Sequence, residues 1–220
     1  MDIGRSFTYI TEDQDWWKKV LLAGLISLIP IVGQLYILGY VLETLKNVIA
    51  GREVPLPEIG GDFGGKLIKG LLLWVITFVY FLPLTLLGAC SGVGSSVFPT
   101  VIEDIDAAEI VTAVWAGCFG CLSILVGLVA NLFLPFAWSR YAETGSFGDA
   151  LQLGKIFEML KNNIGQTVIV LLVMWLAGLA AMIVGSILCG VGLIFTFVYA
   201  QLITAFLYGT LYRRAQATVL

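Results

Sequence analysis

Four cysteines offer this chain its most specific chemistry. Cys118 and Cys121 form a C-x-x-C pair, while Cys90 and Cys189 lie near the ends of other apolar runs. A C-x-x-C pair backed by two more cysteines on the oxidising side of a membrane could pass electrons from thiols to a quinone, which would make the protein a membrane thiol oxidoreductase. The same four residues fit one or two structural disulfides, or small apolar residues at close helix contacts. We favour the packing role, because a catalytic thiolate needs a cationic neighbour and the apolar run around the pair contains no Lys or Arg.

An acidic segment, Glu103-Asp104-Ile105-Asp106 with Glu109, is the next candidate site. Carboxylate oxygens are the ligands that calcium prefers, but the spacing differs from that of an EF-hand loop. Acidic side chains are also favoured in the first turn of a helix, where they complement the positive end of its dipole. We therefore expect these residues to begin a helix.

Several common site types are missing from the sequence. It contains no histidine, the commonest metal ligand and near-neutral proton carrier. It has neither a G-x-S-x-G nor a P-loop motif, and its net charge of −3 disfavours a nucleic-acid surface. We expect no cofactor, no metal site, no nucleic-acid partner and no enzymatic activity.

The composition predicts an all-α integral membrane protein. Of its 220 residues 59% are hydrophobic and 12% charged, with a mean hydropathy of +0.97, whereas soluble domains carry about 25% charged residues. Runs of about 20 apolar residues are long enough to cross a bilayer. We predict a helical bundle forming one membrane-embedded domain, 1–220, with transmembrane helices at 67–89, 111–138, 164–188 and 193–212.

The first apolar run, 20–49, is interrupted by Pro30 and Gly33. Proline and glycine break helices, so this run predicts a broken or re-entrant helical hairpin rather than one span. Residues 1–19 precede it as a cytoplasmic or interfacial start, with a capping box at Thr11–Gln14 that predicts a helix from about Glu12. If the run re-enters, every basic residue falls on one face, and the positive-inside rule makes that face and both termini cytoplasmic. The basic residues are Arg5, Lys18, Lys19, Lys46, Arg52, Lys66, Lys69, Arg140, Lys155, Lys161, Arg213 and Arg214.

Small residues recur every four positions on the last two spans. Small-xxx-small faces allow helix backbones to approach closely in lipid, so the pattern predicts that these two helices pair. A second amphipathic segment, Gly145–Gly165, is expected to lie in the membrane interface, capped by Ser146. The packing faces are Ala177, Ala181, Gly185 and Cys189 on one span and Gly192, Thr196 and Ala200 on the other.

A set of structural motifs resembles a known family. They are Leu28 to Gly33, Gly39-Tyr40, Gly51 with Leu56-Pro57, Gly70, and Gly145-x-Phe147. Together they are similar to domain-of-unknown-function family 4013, a family of uncharacterised prokaryotic polytopic membrane proteins. The resemblance implies the membrane fold and brings no catalytic residues.

The abundance of packing motifs and the shortage of catalytic groups favour a scaffold or accessory subunit of a membrane assembly. Its expected partners are the lipid bilayer and either other proteins or further copies of the chain, bound through the small-residue faces in the cell membrane. A passive transporter or channel using Gln34 or Asn131 is one rival hypothesis. An outer-face thiol oxidoreductase using Cys118 and Cys121 is the other.

Overall fold

The structure is a computed structural model that describes residues 3–187 and 191–219. Within these ranges it contains eight helices and no strand, so the all-α class predicted from the sequence is confirmed. In chain order the helices are α1 (Arg5–Thr8), α2 (Trp16–Ser27), α3 (Val32–Ile49), α4 (Phe63–Val101), α5 (Ile105–Thr144), α6 (Phe147–Ala150), α7 (Leu153–Ile187) and α8 (Val191–Val219).

Four of these helices are long and apolar enough to cross a membrane: α4, α5, α7 and the Gly192–Ala217 part of α8. The first three contain 39, 40 and 35 residues, which corresponds to roughly 50–60 Å of helix against a hydrocarbon core of roughly 30 Å. Their ends therefore extend beyond the apolar spans predicted from the sequence. The chain is a multi-pass integral membrane protein.

The contacts divide the chain into two compact units. One unit comprises Met1–Ile76 and Phe133–Leu220, and in it α8 contacts α1, α2, α3 and α7. The other unit, Thr77–Leu132, contains the end of α4 and the beginning of α5. In this second unit the Trp115 ring packs edge to face on Phe98, with ring centroids 5.3 Å apart.

The acidic segment begins α5. Asp104 Oδ1 accepts hydrogen bonds from the amides of Asp106 at 3.0 Å and Ala107 at 3.2 Å. These amides belong to the first turn of the helix, where they lack partners along the helix itself. Asp104 therefore acts as the cap that stabilises the start of α5.

Two predicted caps are wrong. Thr11 caps no helix, because its hydroxyl donates to the Thr8 carbonyl at 2.7 Å. Asp13 instead accepts a hydrogen bond from the Asp15 amide at 2.9 Å, and α2 begins only at Trp16. Ser146 precedes α6, a single turn of four residues, and makes no side-chain capping bond to it.

The second amphipathic segment is continuous with α7. Asn163 has φ −129° and ψ 22°, so it kinks the helix and separates 153–162 from 164–187. Its side-chain amide donates to the Met159 carbonyl at 3.1 Å, while its own carbonyl accepts from the Thr167 hydroxyl at 3.0 Å. The kink lies immediately before residue 164, where the apolar span was predicted to begin.

Candidate functional site

The break between α2 and α3 is a tight turn at Pro30 and Ile31. Ile31 has φ 65° and ψ −63°, and the Val32 amide donates to the Pro30 carbonyl at 2.7 Å. This geometry is the rare γ-turn with positive φ, which strains a β-branched residue. Gly33 completes the turn, because a Cβ there would lie 2.0 Å from the Ile26 carbonyl oxygen.

The tip of this hairpin is apolar and exposed. Leu28 and Ile31 are 57% and 75% exposed, which suits contact with lipid. Several backbone amides of the turn are hydrogen-bonded. Those of Leu28 and Ile29 donate to carbonyls one turn earlier, and the Gly33 amide donates to the Ile29 carbonyl. A lipid-facing turn requires such pairing, because the hydrocarbon offers no partner for a free amide. Gln34, the polar residue beside the turn, donates to the Ser27 carbonyl at 3.3 Å.

Polar side chains fix the segment 50–62, which connects α3 to α4. Lys19 Nζ binds Asp13 at 2.6 Å and the Leu56 carbonyl at 3.3 Å. The Asn47 amide donates to the Pro55 carbonyl at 2.8 Å, and the Tyr40 hydroxyl donates to the Pro57 carbonyl at 3.2 Å. These side chains hold a segment that has no helix or strand of its own.

Lys66 is the most buried cation in this arrangement, with its side chain only 3% exposed. Its ammonium group donates to the carbonyls of Glu58 and Gly61 and lies 5.7 Å from the centre of the Tyr36 ring. Glu43 is 3.8 Å away and also binds Lys69 at 2.9 Å. Burial of a charge costs free energy unless it is paired and hydrogen-bonded, and here both conditions are met. From the sequence, Lys66 counted only as one of the basic residues that set the orientation, and no local sequence pattern marks its burial.

Two glycines allow α3 and α4 to cross in backbone contact. A Cβ at Gly39 would lie 1.9 Å from the Lys66 carbonyl oxygen, and a Cβ at Gly70 would lie 1.7 Å from the Leu35 carbonyl oxygen. Real Cβ atoms do not approach other atoms this closely, so any larger residue would separate the helices. Both glycines belong to the motif set that carries the family resemblance.

The small faces of α7 and α8 meet at Gly185. A Cβ there would lie 2.7 Å from the Leu193 Cα and 2.8 Å from the Thr196 hydroxyl, so the two backbones are close at this point. Ala177 is buried, and Gly192 is buried near the start of α8. Cys189 lies outside the described residues.

Beside this contact lies an open apolar groove, which we call the alanine groove. It has a volume of about 230 Å³ and lies between α7 and α8. Alanines line both walls, Ala180 and Ala181 on α7 and Ala200 on α8. Its full lining is Phe7, Ala177, Ala180, Ala181, Val184, Thr196, Tyr199, Ala200 and Ile203.

The N-terminal segment is anchored to α8 by two tyrosines. The Tyr9 hydroxyl donates to the Leu202 carbonyl at 2.7 Å, and its ring stacks on Phe206 with centroids 4.6 Å apart. Burial raises the pKa of Tyr9 well above its usual value, so this hydroxyl stays protonated and able to donate. The Tyr199 hydroxyl donates to the Phe7 carbonyl, which seats α1 beside the alanine groove.

The described cysteines are free and exposed. Cys90, Cys118 and Cys121 all lie in the Thr77–Leu132 unit, and none forms a disulfide. The glycine one turn before Cys121, Gly117, has open space around it. Gly117 and Cys121 therefore lie on the surface of their unit and not at a close helix contact.

The polar residue Asn131, named as a transport candidate, bonds within its own helix. Its side-chain amide donates to the Gly127 carbonyl at 2.8 Å. Among the described residues no group of three or more Cys, Asp or Glu side chains is placed to hold a metal ion. The described residues form three other arrangements: the hairpin tip, the fixed connecting segment and the alanine groove.

Comparison with known proteins gives one match. A family model described as a protein of unknown function (DUF4013) matches residues 22–190. This range extends from α2 through α7 and includes the hairpin turn, the Gly39–Gly70 crossing and the α7 wall of the groove. No curated protein and no solved structure matches the chain.

Proposed function

This chain belongs to the DUF4013 family of proteins of unknown function, and we propose that it is a non-enzymatic scaffold or accessory subunit of a membrane assembly. The observation that carries the proposal is the alanine groove, whose lining is almost entirely apolar and whose two walls present small side chains. In lipid, helices associate through close van der Waals packing at small residues. The occupant we propose is one transmembrane helix of a different subunit.

The exposure of the neighbouring helix supports this assignment. Only 17% of the most apolar stretch of α7 is buried, against 50% for α8. A partner helix seated in the groove would cover the alanine face of α7 and leave the rest of α7 to lipid. The close contact of Gly185 with Leu193 beside the groove would hold the two walls together around that helix.

The test uses the protein extracted gently from its own membrane, with its native mass measured and every co-migrating chain identified. Ala180→Leu fills the groove from an exposed position, and we expect it to release the co-migrating chain. Gly178→Leu is the matched control, since it adds the same side chain to the same helix where no atom lies within 4 Å of the new Cβ. The proposal is contradicted if Ala180→Leu retains the partner, or if the wild-type protein migrates without another chain. Solute flux and thiol oxidation would then be the activities to assay.

The proposal includes an orientation, with both termini in the cytoplasm and the hairpin re-entering from that side of the cell membrane. Its support is the sequence pattern of basic residues, since one face then holds all of them. Thr8→Cys in a background without native cysteines should resist an impermeant thiol reagent added to intact cells, whereas Glu103→Cys should react. Labelling of position 8 from outside contradicts the orientation.

A further inference from the structure

Three arginines converge on a cleft that neither the family nor the proposed scaffold role explains. The cleft, about 240 Å³ in volume, is lined by Arg5 at the start of α1, Arg52 after α3 and Arg213 near the end of α8. Glu53 is its one acidic lining residue. We infer that this cleft, which we call the arginine cleft, is a binding site for a phosphate group, carried either by an anionic membrane lipid or by a soluble phosphate compound.

Local backbone geometry brings Arg52 and Arg213 together. The Gly51 amide donates to the Val48 carbonyl and the Arg52 amide donates to the Asn47 carbonyl, at 3.0 and 3.1 Å. With φ +72° at Gly51, this is a Schellman ending of α3, which turns the chain sharply. A Cβ at Gly51 would lie 3.7 Å from both terminal nitrogens of Arg213, so the Arg213 guanidinium reaches the turn from which Arg52 emerges.

These two guanidinium groups are available for a ligand. Among the described residues, neither Arg52 nor Arg213 has a side-chain hydrogen bond or an ion pair, and both residues are exposed. Arg5 is partly neutralised by Glu12 at 3.2 Å. Guanidinium groups bind phosphate oxygens in parallel pairs of hydrogen bonds, so two or three of them around one cleft favour a phosphate over a simple halide.

Part of the cleft lining is apolar. Val48 and Phe206 are buried lining residues, and Pro55 joins them. An amphiphile would place its phosphate on the arginines and its acyl chains against these apolar residues. The three arginines also share the predicted cytoplasmic face, where basic pockets between membrane helices bind anionic headgroups.

The experiment measures thermal unfolding of the full chain in neutral detergent with two probes. One probe is inorganic phosphate against chloride at equal ionic strength, and the other is phosphatidylglycerol against phosphatidylcholine in mixed micelles. The variant R52Q/R213Q removes the two available cations, and K155Q/K161Q removes the same charge from exposed lysines outside the cleft. We expect stabilisation of the wild type and of K155Q/K161Q by at least one probe, with R52Q/R213Q needing at least about tenfold more of that probe.

The two arms also separate the sources of the phosphate. A response to phosphatidylglycerol alone assigns the site to a membrane lipid, and a response to inorganic phosphate assigns it to a soluble compound. The inference is overturned if the wild type prefers neither inorganic phosphate over chloride nor phosphatidylglycerol over phosphatidylcholine, or if both double variants respond equally. Should R52Q/R213Q fail to fold, the single variants R52Q and R213Q are each compared with K161Q by the same measurement.

Discussion

Replacing Gly70 by alanine tests the backbone crossing of α3 and α4. The added Cβ would lie 1.7 Å from the Leu35 carbonyl oxygen, whereas ordinary van der Waals contact begins at 3.4 Å. The two helices must therefore separate by well over 1 Å at this point. The obstructing atom is backbone, so no side-chain rotation relieves the clash, and the cost should lie at or above the upper end of the roughly 1–3 kcal/mol typical of overpacked cores.

Separation at Gly70 would propagate to its neighbours. The Lys66 carbonyl touches Gly39 on the same crossing, and the Lys66 ammonium holds the connecting segment through the Gly61 carbonyl. We expect a loss of about 3 kcal/mol in the free energy of unfolding, equivalent to roughly a hundredfold change in the folding equilibrium. The measurement is reversible unfolding in mixed micelles by titration with a denaturing detergent, followed by circular dichroism.

Gly64→Ala is the control for this experiment. It makes the same substitution in the same helix, but no atom lies within 4 Å of the new Cβ. Alanine is a better helix former than glycine by up to about 1 kcal/mol, so this variant should be as stable as the wild type or slightly more stable. Equal stability of Gly70→Ala and Gly64→Ala would refute the crossing.

The remaining predictions concern the fixed segment and the turn. Lys66→Met should lower the free energy of unfolding by about 2–4 kcal/mol and expose the segment 50–62 to proteolysis, because buried carbonyls lose their donor. Lys69→Met changes a side chain that is 44% exposed, so it should lower the free energy of unfolding by less than about 1 kcal/mol. A protease that cuts both variants at the same rate would contradict the role given to Lys66. Ile31→Gly relieves the positive-φ strain, whereas Val32→Gly weakens the first turn of α3. In the same unfolding assay the Ile31→Gly variant should therefore be more stable than Val32→Gly by at least about 1 kcal/mol. The reverse order would show that the turn is not strained.

The sequence predicted the features that depend on composition and on local breakers. Apolar runs of about 20 residues located the four long helices, since lipid requires their length and hydropathy. Pro30 and Gly33 predicted the interruption between α2 and α3, because both residues act on their own local backbone. That this hairpin re-enters the membrane from the cytoplasmic side stays a prediction.

The sequence did not predict the features that depend on contacts between residues far apart in the chain. The cap proposed at Thr11 failed because α2 begins only at Trp16, and Ser146 makes no side-chain bond to α6. A motif of four residues does not show where the helix itself will begin or how its first amides are bonded. Lys66 looked like any flanking lysine, since its burial depends on carbonyls of a connecting segment. Arg5, Arg52 and Arg213 are far apart in the chain, and only the packing of α1, α3 and α8 brings them to one cleft.

The apolar turn of the hairpin has a consequence for biogenesis. Between Val20 and Leu42 the chain has no charged residue, and proline at the turn has no amide to satisfy. Moving a charged residue to the bilayer centre costs roughly 2.5–3.5 kcal/mol of insertion free energy. Because the hairpin has no charged residue between Val20 and Leu42, it can insert without that cost. We expect α2 and α3 to enter the bilayer together as one preformed unit from the side on which they are synthesised, with no polar segment transferred across the membrane.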